Sequence, residues 1–390
     1  MVRAMGIDPG TGSFDIVVVE KNNVVWERSV PTSVLIKNPG IILDYIREAG
    51  FVDIIIGPSG YGTPIVCNND IVDPVVFASE VLLLTSIDDI ERGVLNNELG
   101  MYVYKSLLDV VKQLWLSNYN VCYIPSVIQL PTIPLFRKIN KIDMGTVDKL
   151  ASTILAIYDQ SVEYGIDYSE TNFILVETGF GYNAVIGVSR GRIVDGYGGT
   201  LVSNGMLTIG SIDGEVVVLG REWSRVDLFN GGVLTICNTT SIEEALLIRS
   251  KNSLCNEGFK AMYDELIKNI MRVSVSIGKP REVLLSGRLI RYSELRDELI
   301  DLIGKYFSVR IVNSLKGAYR SKESGQGYAI IGEGLLKGYF GDLIDIVELK
   351  NARGTVLDYV YHPRLRKARD RLVNAIKSSL KKSVYERILS

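Results

Sequence analysis

A unit of strand, glycine-containing turn and strand occurs twice in this chain of 390 residues. The first copy reads MGIDPGTGSFDIVVVE, with Asp8 at the end of an apolar run and a glycine-rich turn directly after it. The second reads NFILVETGFGYNAVIGVS, with Glu177 in the corresponding place. Apolar runs on both sides of such a turn are typical of β-hairpins. The repeat therefore predicts a chain made of two related halves.

A mixed α/β pattern accompanies each hairpin, because apolar residues recur at helical spacing between the predicted strands. The first half predicts a helix over 39–49, a strand over 52–57, mostly helix over 75–117, a strand over 121–130 and a helix over 146–164. The second half predicts a strand pair around 206–219, helices over 241–252, 257–277 and 294–307, strands from 281 and 309, and a small-residue helix over 325–340.

The bulk composition is that of a globular protein and gives little support for nucleic-acid or membrane binding. An apolar fraction of 47% and a charged fraction of 23% are ordinary for a globular chain long enough for two domains. The net charge of -2 makes no strong case for nucleic-acid binding. Because no apolar run approaches the roughly 18 residues of a membrane span, we expect no membrane insertion.

The number and spacing of the cysteines, and the presence of a single histidine, argue against several kinds of metal and catalytic site. The four cysteines, at 67, 122, 237 and 255, form no CxxC pair, which argues against a zinc ribbon or iron–sulfur site. They fit a reducing interior, and we expect a cytoplasmic protein. The single histidine, His362, can build neither a histidine metal cluster nor a plausible Ser-His-Asp triad, so we expect a surface or capping role. Chemistry must rest on carboxylates, Lys/Arg and backbone amides.

The first turn has the composition of a phosphate-binding loop. Gly10 and Gly12 allow close approach of a ligand to the backbone, Thr11 and Ser13 add hydroxyl donors, and Asp8 could hold a hydrated Mg2+. The alternative is an ordinary glycine turn in which nearby backbone amides satisfy Asp8.

Five motifs in order resemble the superfamily of acetate and sugar kinases, heat-shock ATPases and actin. They are GIDPGTGS, MGTVDKLAS, VETGFGYNAV, LLSGRLI and GQGYAIIGEGLLKG. Within it, DMGTVDKLA and GRIVDGYGGT resemble an archaeal family described as predicted butyrate kinases. The resemblance implies an α/β fold of two ribonuclease-H-like domains that bind ATP and Mg2+ in the cleft between them. We expect these domains over 1–150 and 151–341, with a basic helical extension over 342–390.

The resemblance also implies roles for residues of the motifs. Asp8 would hold Mg2+ through water, while Gly10, Thr11, Gly12 and Ser13 face the β and γ phosphates. Where many relatives have Asp, Glu177 would reach Mg2+ through water or only cap its turn. The remaining nucleotide-binding residues implied are Thr178, Gly179 and Gly181 of the second phosphate loop, and Ser286, Gly287 and Arg288 of the adenosine loop. Arg288 would stack on the base or face solvent.

A phosphoacceptor site should hold an acid or a cationic clamp near the γ-phosphate. The candidates are Ser59, Gly60, Tyr61, Gly62, Arg137, Asp143, Asp148, Lys149, Gly198 and Gly199. Asp143 would orient the acceptor or a water, or serve only as the N-cap of the following helix. Asp148 suits the first turn of that helix without any catalytic duty.

Two functions follow from these features. The first is a kinase that transfers the γ-phosphoryl group of MgATP to a small-molecule acceptor, such as a short-chain carboxylate. Acetate and butyrate kinases use a histidine near the transferred group, which is missing here, so Arg137 is the best candidate cation. The second is an ATP-hydrolysing switch acting on a protein partner. An actin-like filament subunit is a weaker third reading, and a homodimer is an analogy with acetate-type kinases.

The C-terminal segment 364–390 holds nine Lys/Arg against two acids. It could bind an acidic partner, RNA or a membrane surface. Apolar residues at helical spacing, including Leu372 and Ile376, instead favour an amphipathic helix docked on its own domain.

Overall fold

The computed structural model describes residues 1–390, except for the side chain of Leu99. The chain separates into two compact units. The first unit contains Met1–Thr171, Arg190–Val194 and Asn313–Ser390, and the second contains Asn172–Ser189 and Asp195–Val312. The domain boundaries expected near residues 150 and 341 were drawn from the motifs and stay a prediction.

Two mixed sheets form the framework of this α/β fold. The first, a six-stranded sheet, has the order β3-β2-β1-β4-β6-β5, and the second, a five-stranded sheet, has the order β11-β10-β7-β8-β9. The strands are β1 (Arg3–Pro9), β2 (Ser13–Glu20), β3 (Asn23–Pro31), β4 (Ile54–Ile56), β5 (Gly62–Cys67), β6 (Val121–Pro125), β7 (Asn172–Thr178), β8 (Asn183–Ser189), β9 (Arg192–Gly198), β10 (Glu282–Ser286) and β11 (Val309–Ile311). In each sheet an antiparallel hairpin, β1–β2 or β7–β8, continues into parallel pairing with later strands.

Helices of widely differing length surround the sheets. They are α1 (Thr32–Lys37), α2 (Ile41–Ala49), α3 (Pro74–Val76), α4 (Ile87–Leu95), α5 (Leu99–Leu116), α6 (Leu135–Lys138), α7 (Val147–Tyr164), α8 (Gly214–Gly220), α9 (Val233–Cys237), α10 (Ile242–Arg249), α11 (Ser253–Ile277), α12 (Ser293–Ile303), α13 (Glu323–Leu335), α14 (Gly341–Ile346), α15 (Arg366–Ser379) and α16 (Lys382–Leu389). Most of the predicted helices, including those over 146–164 and 257–277, are therefore confirmed.

Helix α13 lies unusually close to its neighbours in the first unit. A Cβ atom on Gly6 of β1 would come within 2.4 Å of the amide nitrogen of Ala329. A Cβ atom on Gly327 would come within 1.9 Å of the carbonyl oxygen of Ala151 on α7. Since either contact would force the backbones apart, the small residues of GQGYAIIGEG are required for packing on both β1 and α7.

The predicted strand pair around 206–219 is wrong. Residues 206–213 contain no strand, and α8 begins at Gly214. The Asp213 carboxylate accepts a hydrogen bond from the amide of Glu215 at 2.9 Å, so this N-cap prevails over the β propensity of the valines that follow. The strand expected over 121–130 is also too long, because β6 ends at Pro125 and a 3₁₀ turn follows at Val127–Gln129.

All four cysteines form disulfides, which the spacing of the cysteines in the sequence did not predict. Cys67 pairs with Cys122 across the antiparallel strands β5 and β6, where the two residues lie directly opposite one another. Cys237 at the end of α9 pairs with Cys255 in α11. Because 55 and 18 residues separate the paired cysteines, no local sequence pattern indicates either disulfide.

The C-terminal segment docks on the first unit, as the apolar spacing predicts. Leu372, Ile376 and Ile388 are buried in the core cluster that also contains Ile7 and Val18 of the first hairpin. No helix in the described part of the chain has the length and hydropathy needed to span a membrane. His362 caps the 3₁₀ turn before α15 by accepting a hydrogen bond from the amide of Arg364 at 3.2 Å.

Candidate active site: a glycine turn and a buried ion-pair cluster

The two hairpins close in the same way. The amide of Gly10 donates to the carbonyl oxygen of Ser13 at 3.0 Å, and the amide of Gly179 donates to that of Tyr182 at 2.9 Å. Asp8 and Glu177 each lie two residues before the first of these glycines, at the carboxyl end of a central strand. The duplication inferred from the sequence therefore extends to the hydrogen bonding of the turns.

Asp8 is buried and forms an ion pair that the sequence did not reveal. Its Oδ2 atom lies 2.5 Å from Nζ of Lys322, the residue directly before α13, and accepts a hydrogen bond from the Ser324 hydroxyl at 2.7 Å. Burial raises the pKa of Asp8, and the Asp148 and Asp15 carboxylates add to the shift against the opposing Lys322 ammonium. The alternative in which backbone amides satisfy Asp8 is thus wrong, because the groups that contact its carboxylate are the side chains of Lys322 and Ser324.

Asp15 ties the start of α13 to the first hairpin. Its Oδ2 atom accepts a hydrogen bond from the amide of Lys322 at 2.7 Å, and its Oδ1 atom accepts from the hydroxyls of Ser29 at 2.6 Å and Ser13 at 3.2 Å. Burial opposes a charge on Lys322, but the nearby carboxylates prevail and raise the pKa of its ammonium group. Lys322 is therefore held as a cation beside the glycine turn.

A second ion pair lies at the start of α7. The Nζ atom of Lys149 lies 2.6 Å from Oδ2 of Asp148, and the hydroxyl of Thr146 donates to the same carboxylate at 2.5 Å. Burial works against ionisation, yet the Lys149 ammonium and the Thr146 hydrogen bond lower the pKa of Asp148. Asp148 thus does more than complement the helix dipole, because it fixes Lys149 in a buried position.

Asp143 is not the N-cap of α7, a position that Thr146 occupies. The Asp143 carboxylate instead accepts a hydrogen bond from the amide of Gly145 at 2.9 Å. Burial raises the pKa of Asp143 to about 6. A carboxyl group with that pKa can exchange a proton near neutral pH, which leaves its predicted role in orienting an acceptor open.

The loop at 59–62 is fixed through its backbone. The carbonyl of Gly60 accepts from the amide of Val147 at 3.1 Å, the amide of Tyr61 donates to Leu82, and Gly62 adopts a φ of +76°. Among the described residues, Ser59 Oγ and Thr63 Oγ1 are buried side-chain atoms without a hydrogen-bond partner. Two such hydroxyls are donors available to a polar ligand.

Arg137 lies on α6, and its guanidinium donates to the carbonyl of Val194 on β9 at 2.7 Å. This described contact anchors Arg137 to the backbone of the first unit. The adjacent glycines of the GRIVDGYGGT motif lie at the end of β9, where Gly198 is the last strand residue and Gly199 has a φ of +58°. The catalytic role of Arg137 and the substrate-binding role of Gly198 and Gly199 stay predictions.

The second unit brings the VETGFGYNAV and LLSGRLI motifs together. Ser286 of β10 lies opposite Glu177 of β7 in the parallel register, and the hydroxyl of Thr178 donates to the carbonyl of Ser286 at 3.3 Å. Gly287 has a φ of +99°, and a Cβ atom there would come within 2.5 Å of the carbonyl oxygen of Thr178. This glycine therefore permits close contact of the two loops. Arg288 follows in a 3₁₀ turn.

The cluster around Asp8 fits the Mg2+ and phosphate groups that the resemblance implies. The Lys322 ammonium already places a positive charge at the carboxylate, and a Cβ atom on Gly10 would come within 2.5 Å of it. No group of three or more His, Cys, Asp or Glu side chains among the described residues is arranged to hold a metal. A cation at Asp8 would therefore take most of its oxygen ligands from water and phosphate.

Sequence reasoning missed Lys322, Asp15 and Ser324. The one available signal was position, because SKES directly precedes the glycine-rich motif of α13. More than 300 residues separate Lys322 from Asp8, so only the fold reveals their contact.

The fold is that of acetate and propionate kinases. It matches acetate kinase from Porphyromonas gingivalis with a TM-score of 0.54 and 13% identity, over 86% of this chain and 100% of that one. It matches a propionate kinase from Francisella tularensis with a TM-score of 0.53 and 13% identity, over 84% and 98%. Acetate kinase from Entamoeba histolytica gives a TM-score of 0.51 and 14% identity, over 78% and 86%. At these identities the likeness shows the fold alone.

The chain belongs to the family described as "Protein of unknown function (DUF1464)", whose model matches residues 6–362. No curated protein matches the sequence. The fold expected from the five motifs is therefore confirmed.

Proposed function

We propose that this protein is an ATP-dependent phosphotransferase that moves the γ-phosphoryl group of MgATP to a small-molecule acceptor. The observation that carries the proposal is the buried Asp8 beside a glycine turn, with a cation held against its carboxylate at 2.5 Å. A matching turn follows Glu177, and the Ser286–Gly287 loop lies against it. The fold shared with acetate and propionate kinases supports the same conclusion.

Several residues would bind the nucleotide and metal. Asp8 would hold Mg2+ through water, and Glu177 would do the same from the second hairpin. The amides and hydroxyls of residues 10–13 and 178–181 would bind phosphate oxygens without a Walker lysine. Mg2+ would supply charge neutralisation of the transferred group. Gly287 and Arg288 would contact the adenosine.

The acceptor we favour is a short-chain carboxylate, as in butyrate or acetate kinases. Lys149 and the buried hydroxyls of Ser59 and Thr63 supply a cation and donors of the kind a carboxylate needs. A carboxylate oxygen of the acceptor would form a bond to the γ-phosphorus as the bond from that atom to the bridging oxygen of ADP breaks. This transfer releases no proton, so it requires no general base.

Phosphorus NMR tests the proposal directly. The protein is incubated with MgATP, with and without a pool of short carboxylic acids and a separate pool of polyols, and Asp8→Asn serves as the control. A new phosphorylated product with the carboxylate pool, absent in the control, is the expected result. ADP and phosphate at one slow rate in every sample would contradict the kinase and favour the switch ATPase.

Asp143 distinguishes the two classes of acceptor. A hydroxyl acceptor must lose a proton, which a carboxylate with a pKa of about 6 can accept near neutral pH. Asp143→Asn should therefore leave transfer to a carboxylate within about threefold of wild type, and lower transfer to a polyol by about 10²-fold. A large loss with the carboxylate would show that Asp143 serves the acceptor in another way.

A further inference from the structure

Lys322 covers the first phosphate turn. Its Nζ atom lies 2.5 Å from Oδ2 of Asp8 and 3.5 Å from the carbonyl oxygen of Ser13. A Cβ atom on Gly10 would come within 2.5 Å of this nitrogen, so the glycine makes room for the ammonium group. The side chain is 14% exposed. The cation therefore sits at the turn on which a phosphate group would bind.

The backbone around Lys322 is held independently of its side chain. Its amide donates to Asp15, and the amides of Tyr319, Arg320 and Ser321 donate to the Glu27 carboxylate of β3 at 2.9, 2.8 and 3.1 Å. These bonds do not involve the ammonium group. A change of partner at Nζ thus needs only rotation of a flexible four-carbon stem above a fixed main chain.

We propose that Lys322 is a nucleotide-sensing lysine that pairs with Asp8 in the free protein and binds the terminal phosphate of ATP when Mg2+ takes its place. This inference rests on the proposed nucleotide site. A divalent cation at Asp8 repels the neighbouring ammonium group, while a terminal phosphate beside Gly10 attracts it. Ser324 continues to donate to Asp8, so the carboxylate keeps one protein partner after the exchange.

This exchange makes the protein select ATP over ADP. ADP carries no third phosphate, so in its complex Lys322 gains no replacement for Asp8. Buried lysine–carboxylate pairs can also be purely structural, and the two roles differ in one respect. Loss of a structural pair affects both nucleotides equally, whereas loss of a sensing lysine weakens the binding of ATP and does not weaken the binding of ADP.

Calorimetric titration of MgATP and MgADP separates these roles. The variants are Lys322→Met and, as a matched control, Lys337→Met, which removes an exposed lysine paired with Asp345. We expect Lys322→Met to weaken MgATP binding by about tenfold or more and not to weaken MgADP binding, because with ADP the lysine loses Asp8 and gains no phosphate. The control should bind both nucleotides as wild type does. An equal loss for both nucleotides, or no loss, would overturn the role of Lys322.

A second measurement uses wild-type protein and so does not depend on whether the variant folds. An acyl phosphate derivative of ATP carries a reactive carbonyl at its terminal phosphate, which transfers its acyl group to a nearby lysine amine as ATP leaves. Peptide mass spectrometry should find the acyl group on Lys322, with labelling suppressed by excess ATP. Labelling confined to other lysines would overturn the inference while leaving the proposed function intact. Wild-type protein that binds neither nucleotide would overturn both.

Discussion

The carbonyl oxygen of Ala151 on α7 lies so close to Gly327 on α13 that a Cβ atom there would come within 1.9 Å of it. Gly327→Ala should therefore lower the free energy of unfolding by about 1–3 kcal/mol, since the added methyl group meets the backbone of Ala151 rather than a flexible side chain. Chemical denaturation measures the loss. Gly341→Ala is the control, because a Cβ there meets only the Lys337 side chain at 3.7 Å. Equal stability of the two variants would contradict the close crossing.

Asp8→Asn should lower MgATP-dependent turnover by about 10²-fold or more, since the proposed Mg2+ site loses its carboxylate. It should also cost about 3–5 kcal/mol of stability, because Lys322 stays buried without its counter-charge. The double variant Asp8→Asn/Lys322→Met removes both charges and should recover most of that stability without recovering turnover. Loss of activity that tracks stability in all three proteins would remove Asp8 from the mechanism.

Asp143 should make stability depend on pH. Its pKa in the folded protein, about 6, lies above the ordinary 3.8, so the folded state binds the proton more tightly than the unfolded state. The contribution of Asp143 to the free energy of unfolding should therefore fall as the pH rises from about 4 to about 6, and then level off. Asp143→Asn removes this penalty and should be more stable than wild type by about 1–3 kcal/mol at pH 7 but not at pH 4.

Thermal unfolding at both pH values checks this difference. Asp342→Asn, at an exposed position on α14, serves as the control and should show no such change between the two pH values. A variant equally stable relative to wild type at pH 4 and 7 would contradict the raised pKa.

Reduction should destabilise both units. In the chain-entropy model, the Cys67–Cys122 bond, with its separation of 55 residues, contributes about 4 kcal/mol, and the Cys237–Cys255 bond, with 18, about 3 kcal/mol. Denaturation with and without a thiol-free reductant measures the combined loss. The paired serine variants should each reproduce one part of it. Unchanged stability on reduction, with the thiols shown to be free, would contradict these contributions.

The sequence predicted the hairpins because their signals are local. Asp8 and Gly10, or Glu177 and Gly179, lie within a few residues of each other and define the turn without help from the rest of the chain. The valines at 216–218 led to the wrong prediction of a strand, because a local N-cap at Asp213 prevails over their β propensity. Propensity is a weak guide where a cap sets the structure.

The missing parts of the site are those that distant segments assemble. Lys322 and Ser324 reach Asp8 only because α13 packs against β1, and neither residue has a pattern of its own. The two disulfides were hidden for the same reason, since their partners meet through strand pairing and helix packing. Predicting such contacts requires the tertiary fold.

The first unit is complete only with residues from the end of the chain, because residues 313–390 belong to it and Ile388 lies in its core. Residues 172–312 contain the whole of the second unit. During synthesis on the ribosome, the second unit thus has all of its residues available while the first still lacks α13, α15 and α16. Lys322 can then reach Asp8 only after residue 322 has been made, so a nascent chain cannot form this ion pair before it holds all residues of its second unit.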